Sequence, residues 1–254
     1  MKLIRRFIDA NRRCSHAFDA MLVPDKFSVD GNRDFIDHFA KKYLQPGLTV
    51  FDVGGGKQPY INRETKERLG LTVVGLDIDA NELARAPQGL YDQVICADIT
   101  KFCGTGTADL LVCQALLEHV SDVNAAFESI ASILRPGGRA VIFVPSRNAL
   151  FARLNLILPE KFKRWILFQA FPQAKVDAGF RSYYDRCTPL EFRKLIKANG
   201  LREIEFRPYY QSAYFSFFFP AYMAWRLWTL LFWLLKGEQA AETFCVAFDK
   251  QRPI

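Results

Sequence analysis

The chain has 254 residues, half of them apolar and 24% charged, with a formal charge of +7. That length holds one α/β domain with additions or two small domains, and the composition excludes a disordered, collagenous or disulfide-framed chain. The six cysteines show no CxxC and no metal-like spacing; apolar neighbours such as "DLLVC" and "TFCVAF" predict reduced core thiols of a cytosolic protein.

The opening "MKLIRRFIDANRRC" carries five basic residues and one acid, with Leu3, Ile4, Phe7 and Ile8 at helical spacing. Its apolar part is short and broken by arginines, which argues against a cleavable secretory signal. It reads as a basic amphipathic helix, either lying on an anionic membrane or capping the domain with a solvated basic face. After the polar stretch Asp30–Lys42, strands and helices alternate. Strands are expected at 48–53, 71–77, 92–98, 108–115, 138–145, 201–210 and 241–250. Runs that are apolar throughout point to strands covered on both faces, hence a mostly parallel sheet. Between them, "SDVNAAFESIASILRPGG" predicts a helix capped by Asp122 and stopped by Pro-Gly-Gly. In "TPLEFRKLIKANG", Thr188 is the N-cap, Pro189 the first helical residue, Glu191 the partner in a capping box, and Gly200 the stop. The organisation expected is a helical cap over 1–44, then an α/β doubly wound domain over 45–250. Insertions at 146–187 and 211–240 would supply a cover over the sheet and an apolar lid or membrane element.

"VFDVGGGKQPY" (50–60) is the informative stretch. Three glycines after a strand let backbone approach a ligand without Cβ atoms intervening. Asp77, 21 residues beyond Gly56, ends the next strand, where a carboxylate can accept both hydrogen bonds of a ribose diol. A nucleoside cofactor follows, and both NAD and S-adenosylmethionine qualify. A dinucleotide fingerprint needs G-x-G-x-x-G, and Pro59 stands where its third Gly or Ala belongs, without an amide for pyrophosphate.

The ordered set "VFDVGGGKQP", "VVGLDID", "ICADIT", "ADLLVCQALLEHV" and "LRPGGRAVIFVP" resembles the class I S-adenosylmethionine-dependent methyltransferases, in particular the small-molecule branch with ubiquinone-pathway-like enzymes. The likeness is strong over 45–150 and looser over 185–210 and 241–250. It implies a Rossmann-like seven-stranded sheet whose last strand is antiparallel, and S-adenosylmethionine as cofactor. It further implies that Gly54 and Gly56 border the methionine portion with Asp52 nearby, and that Asp77 holds the ribose. Asp98 and Ile99 would flank the adenine, while Gln114 and Ala115 would line the methyl-transfer face. The family pattern D-x-G-x-G-x-G is broken here by Gln58. Some relatives place acids around the histidine of "LLEHV" to bind a metal; Ala115 occupies one such place, so no metal is expected.

His119 is the candidate general base for an oxygen or nitrogen acceptor, with structural packing as the rival role. Tyr183 and Tyr184 of "FRSYYDRC" are candidates for the acceptor pocket, or for packing over the sheet. "SAYFSFFFPAYMAWRLWTLLFWLLK" (212–236) could span a bilayer as a helix of about 36 Å. Flanking strands of one sheet require the chain to return to the same side, so one crossing is excluded. An interfacial helix pair broken at Pro220, a re-entrant hairpin or a cover remains. "LPEKFKRWILFQAF" (158–171) is a second basic, aromatic stretch. The function expected is methyl transfer to oxygen of a small or lipid-linked acceptor, cytoplasmic and peripheral at the inner membrane face. The alternatives are a non-catalytic membrane-binding module of the same fold and, further off, an NAD oxidoreductase. A homodimer interface or lid competes with membrane for the apolar segment. The basic residues are interleaved with aliphatic bulk rather than forming a phosphate-binding stripe, so no nucleic-acid partner is expected.

Overall fold

The computed structural model describes residues 2–158, 180–212 and 215–252. Among them, seven strands form one sheet in the order β3-β2-β1-β4-β5-β7-β6. They are β1 (Thr49–Val53), β2 (Thr72–Asp77), β3 (Gln93–Cys96), β4 (Ala108–Gln114), β5 (Leu134–Pro145), β6 (Leu201–Tyr209) and β7 (Thr243–Lys250). The first five pair in parallel, and β7 runs antiparallel to both β5 and β6. The described helices are α1 (Lys2–Leu22), α2 (Gly31–Asp34), α3 (Arg63–Leu69), α4 (Ala80–Ala84), α5 (Val123–Ile133), α6 (Leu150–Ile157), α7 (Pro189–Ala198) and α8 (Phe219–Lys236), joined by short 3-10 and π turns.

Strand alternation sends side chains to two cores. Phe51, Val53, Leu111, Cys113 and Ile142 pack beneath α5 and α7, where Phe127 meets Phe192 edge-on at 5.2 Å. Val50, Val73, Leu110, Val112 and Phe143 pack beneath Phe35, Phe39 and Tyr43. The sheet order reverses between β1 and β4, so their carboxyl ends open the crevice in which a doubly wound sheet binds ligands.

Several expectations change. Cys14, Cys96 and Cys103 are exposed, and only Cys113, Cys187 and Cys245 lie in the core; all six are free thiols. Thr188 caps α7 through Glu191 N–H, but the reciprocal half of the capping box is missing. Thr188 N–H donates to Arg186 O, and Glu191 instead accepts from Lys194 at 2.6 Å. Leu134 already pairs with Ala108, so α5 ends at Ile133 and Pro-Gly-Gly belongs to the irregular start of β5. Pro220 starts a helix rather than breaking one, because proline suits the first turn. Among its described residues the apolar segment therefore forms one helix, α8, about 27 Å long at 1.5 Å per residue, in place of a helix pair. No helix among the described residues is long and apolar enough to cross a membrane. Most of the 158–171 stretch and Trp165 lie outside the described residues.

Candidate active site

β1 delivers Asp52 and Val53 to the crevice, and the glycines follow at once. Gly54 (φ +79°) and Gly56 (φ +46°) occupy the left-handed region that other residues rarely adopt. A Cβ on Gly54 would stand 2.9 Å from the Leu116 side chain, which enters from the end of β4; one on Gly56 would stand 3.1 Å from Asp77 Oδ2. Part of what excludes side chains here is the protein's own packing, a role the sequence did not disclose. Gln58, at the departure from the family pattern, lies outside the left-handed region and donates its N–H to Gly55 O at 2.8 Å. A side chain is accommodated there without strain.

Asp52 is buried and works on the loop itself. Its Oδ2 accepts the Tyr60 N–H at 2.7 Å, closing "GGGKQPY" back onto β1. Burial pushes its carboxyl up to about 7, with a further push from Asp77. Tyr91 is the second fastener, and sequence reasoning missed it. Its hydroxyl donates to Gly56 O at 3.2 Å, and its ring lies where a Cβ on Gly75 would be. A lone glycine inside β2 was the available signal, since such a position marks a close approach.

Asp77 ends β2 half-buried. Its Oδ1 accepts Asp79 N–H at 3.0 Å, while Oδ2 faces the glycine turn. Burial and the charges of Asp79 and Glu82 raise its carboxyl above the usual range. Glu82 is partly offset by Lys57 at 3.5 Å and Arg85 at 3.1 Å. The cleft is thus lined by carboxylates, which suits a ribose diol and a cationic sulfonium and opposes a pyrophosphate. Asp98 follows β3; Thr100 donates to its Oδ1 through both N–H (2.9 Å) and Oγ (2.8 Å), holding its carboxyl below the usual range. Ile99 beside it is buried in the core.

On the facing wall, Gln114 Nε2 donates to Asn32 Oδ1 of α2 at 2.8 Å, tying β4 to the N-terminal segment. Ala115 has φ +51°, a strained conformation for a residue with a side chain, and such strain gathers at functional sites. A 3-10 turn, Leu117–His119, comes next. His119 Nδ1 lies 3.1 Å from Arg181 O and 3.3 Å from Ser182 Oγ. The carbonyl contact assigns the proton to Nδ1 and leaves the lone pair on Nε2, as a base requires. Glu118 Oε1 is 3.8 Å from that Nε2, but Glu118 is buried and its carboxyl is pushed up to about 8 by burial. It is therefore protonated near neutrality and forms no ion pair with the histidine. The Tyr183 and Tyr184 N–H groups both donate to Glu118 O, at 2.7 and 2.9 Å, strapping the end of the first insertion across the end of β4. Tyr183 is exposed and Tyr184 is buried with φ +51°, so of the two only Tyr183 presents its ring to an incoming molecule. Among the described residues no group of His, Cys, Asp and Glu could hold a metal ion.

Sheet order, glycine turn and strand-end carboxylate define a doubly wound domain built to bind a nucleoside cofactor. Residues 28–205 match the family model described as a methyltransferase domain, well over half of the chain. The chain belongs to this family, the class I S-adenosylmethionine-dependent methyltransferases. Among similar proteins, the ubiquinone biosynthesis O-methyltransferase of Cupriavidus pinatubonensis is 26% identical over 168 residues, 63% of each chain. Its counterpart in Bradyrhizobium sp. is 30% identical over 125 residues, 47% of this chain and 49% of that one. The chain thus spans between about half and two thirds of the length of the curated relatives it matches. A solved geranyl diphosphate C-methyltransferase from Streptomyces coelicolor, in complex with Mg2+, geranyl diphosphate and S-adenosyl-L-homocysteine, shares the fold at 14% identity. The TM-score is 0.53, covering 86% of this chain and 80% of that one.

Proposed function

We propose that this chain moves the methyl group of S-adenosylmethionine to an oxygen of a small or lipid-linked acceptor at the cytoplasmic face of a membrane. The observation that carries the reading is the left-handed Gly54–Gly56 turn set against the half-buried Asp77 carboxylate. The names of the relatives support oxygen as the acceptor atom, and the apolar α8 supports a lipid-linked acceptor.

The cofactor supplies a methyl already activated on a sulfonium, so the chain needs to align the acceptor and exclude water. Gly54 and Gly56 border the methionine portion, with Asp52 holding the loop in shape from beneath. Asp77 accepts from the ribose hydroxyls. Asp98, whose Oδ1 is taken by Thr100, offers Oδ2 to the adenine amine, and Ile99 packs beside the ring. Gln114 and Ala115 wall the acceptor side, and Tyr183 faces the incoming acceptor. His119 Nε2 takes the acceptor hydroxyl proton as the new bond forms.

Calorimetric titration with S-adenosylmethionine, paired with transfer of a labelled methyl into organic-extractable membrane lipids, tests this. The wild-type chain binds; Asp77→Ala weakens binding about tenfold or more, since both ribose hydrogen bonds are lost. His119→Ala leaves the affinity unchanged and slows transfer about a hundredfold. Absence of binding by the wild-type chain, or binding indifferent to Asp77→Ala, removes the proposal.

A further inference from the structure

α8 is built inside out. Its inward residues are Tyr222, Trp225, Arg226 and Thr229, all buried. The outward ones are Met223, Leu227, Trp228, Leu231, Leu234 and Leu235, all exposed, with Leu234 at 72%. A surface helix of a globular protein normally arranges these the other way round. The only charge within the helix before its terminal Lys236 is Arg226, and the fold consumes it. Arg226 is fully buried, with Nε and Nη2 on the Asp19 carboxylate of α1 at 2.9 and 2.7 Å and Nη1 on the carbonyls of Phe27 and Tyr210. The outward face is left uncharged.

α1 lies alongside. Asn11 Oδ1 accepts the Phe219 N–H at 2.9 Å, Ser15 Oγ donates to Ser216 O at 3.2 Å, and Phe18 packs on Phe219. Its solvent side carries Arg5, Arg6, Arg12 and Arg13 with a single acid, Asp9, and the exposed Phe7 among them; Met21 and Leu22 are exposed at its end. A charge-free apolar stripe on one helix and an arginine-rich exposed face on the helix packed against it have the chemistry of an interfacial element, which takes acyl chains on the one and anionic headgroups on the other.

We propose that the outer face of α8, with the arginines of α1, is the surface by which this protein docks on an anionic lipid bilayer. This names the surface for the membrane location included in the function proposed above. Being too short to cross, α8 lies in the plane of the interface, and the Arg226–Asp19 pair keeps the only internal charge out of the lipid. A second copy fits less well. A twofold contact pairs this surface with itself, so the net positive charge of α1 would meet no compensating acidic surface.

The test is flotation of the full chain with phosphatidylcholine vesicles, with and without phosphatidylglycerol. The wild-type chain floats with the anionic vesicles and is released by high salt. Leu231→Glu with Leu234→Glu lowers partitioning by about tenfold or more, with affinity for S-adenosylmethionine unchanged. Arg12→Glu with Arg13→Glu abolishes the preference for anionic over neutral vesicles. Should the glutamates also abolish cofactor binding, Leu231→Ser with Leu234→Ser is read in their place. A wild-type chain that stays with the soluble fraction on anionic vesicles at low salt overturns the proposal. So does undiminished flotation of the stripe variant, or a vesicle-free dimer that the stripe variant turns into monomer. A chain that binds cofactor but not vesicles loses this surface and the membrane location while keeping the methyl-transfer reading; one that floats but binds no cofactor loses only the methyl-transfer reading.

Discussion

Gly56 shows how little room the cleft allows. Its φ of +46° is costly for any residue with a Cβ, and that Cβ would press on Asp77 Oδ2 at 3.1 Å and Glu82 Cβ at 3.1 Å. Gly56→Ala is expected to cost about 1–2 kcal/mol of stability from the left-handed backbone. It should also weaken S-adenosylmethionine binding beyond that, because relief displaces Asp77 or Glu82 at the rim of the crevice. Calorimetry and thermal unfolding on the same sample check both halves; unaltered affinity would mean that the turn does not face the ligand. At this scale the candidate glycines and the strand-end acid were readable, because they are chemical signals. Tyr91 and Leu116, which shape the turn, were not. An aromatic after a helix and a leucine after a strand look the same whether or not they reach across to another loop.

Among the elements, α8 departs furthest from expectation. Its apolarity was plain in the sequence, but its start, with Pro220 in the first turn, and the face its single arginine would take were not, the latter because the partner, Asp19, lies 207 residues away. Tyr222 also donates to that carboxylate, and Trp225 lies against the guanidinium at 5.0 Å. Removing one member of a buried pair strands the other, at about 3–5 kcal/mol. Arg226→Met should therefore lower stability by that order and free α1 for proteolysis. The double variant Asp19→Leu with Arg226→Met should recover most of the loss, since no charge is left buried. Denaturant unfolding of the three chains decides it; equal stability of the single and double variants would show that the pair is not what joins the helices.

Over the whole molecule, three buried carboxyls far apart in sequence share one property. Burial pushes Asp52 to about 7, Glu118 to about 8 and Glu242 to about 7. Glu118 Oε2 has no hydrogen-bond partner, and Glu242 accepts from Trp225 Nε1 at 3.1 Å. Each folded-state value lies above the unfolded one near 4, so between those limits the folded chain holds protons that the unfolded chain has released. Raising pH then favours unfolding. Their contribution to stability is fully present below about pH 4 and is lost as pH rises through about 7 to 8, with a ceiling near 1.4 kcal/mol per pH unit for each group. Unfolding free energy measured from about pH 5 to about pH 8 should fall, and Glu118→Gln should flatten the slope. A profile that rises over this range would place these groups in water. Paired acids such as Asp34, held below the usual range by the Tyr209 hydroxyl and Arg207, and Glu205, held there by Lys42, act oppositely and only at lower pH.

The sequence by itself determined the strands, the crevice they share and the chemistry of its rim, because backbone-covering apolar runs, glycines and strand-end acids act over a few residues. It also determined that 212–236 was apolar beyond the needs of a core. Tertiary structure alone decided which carboxyls lose their water, which tautomer His119 takes through Arg181 O, and which side of α8 meets solvent. Those outcomes depend on groups brought together from distant parts of the chain, and a burial free energy or a hydrogen-bond partner exists only once that approach has happened.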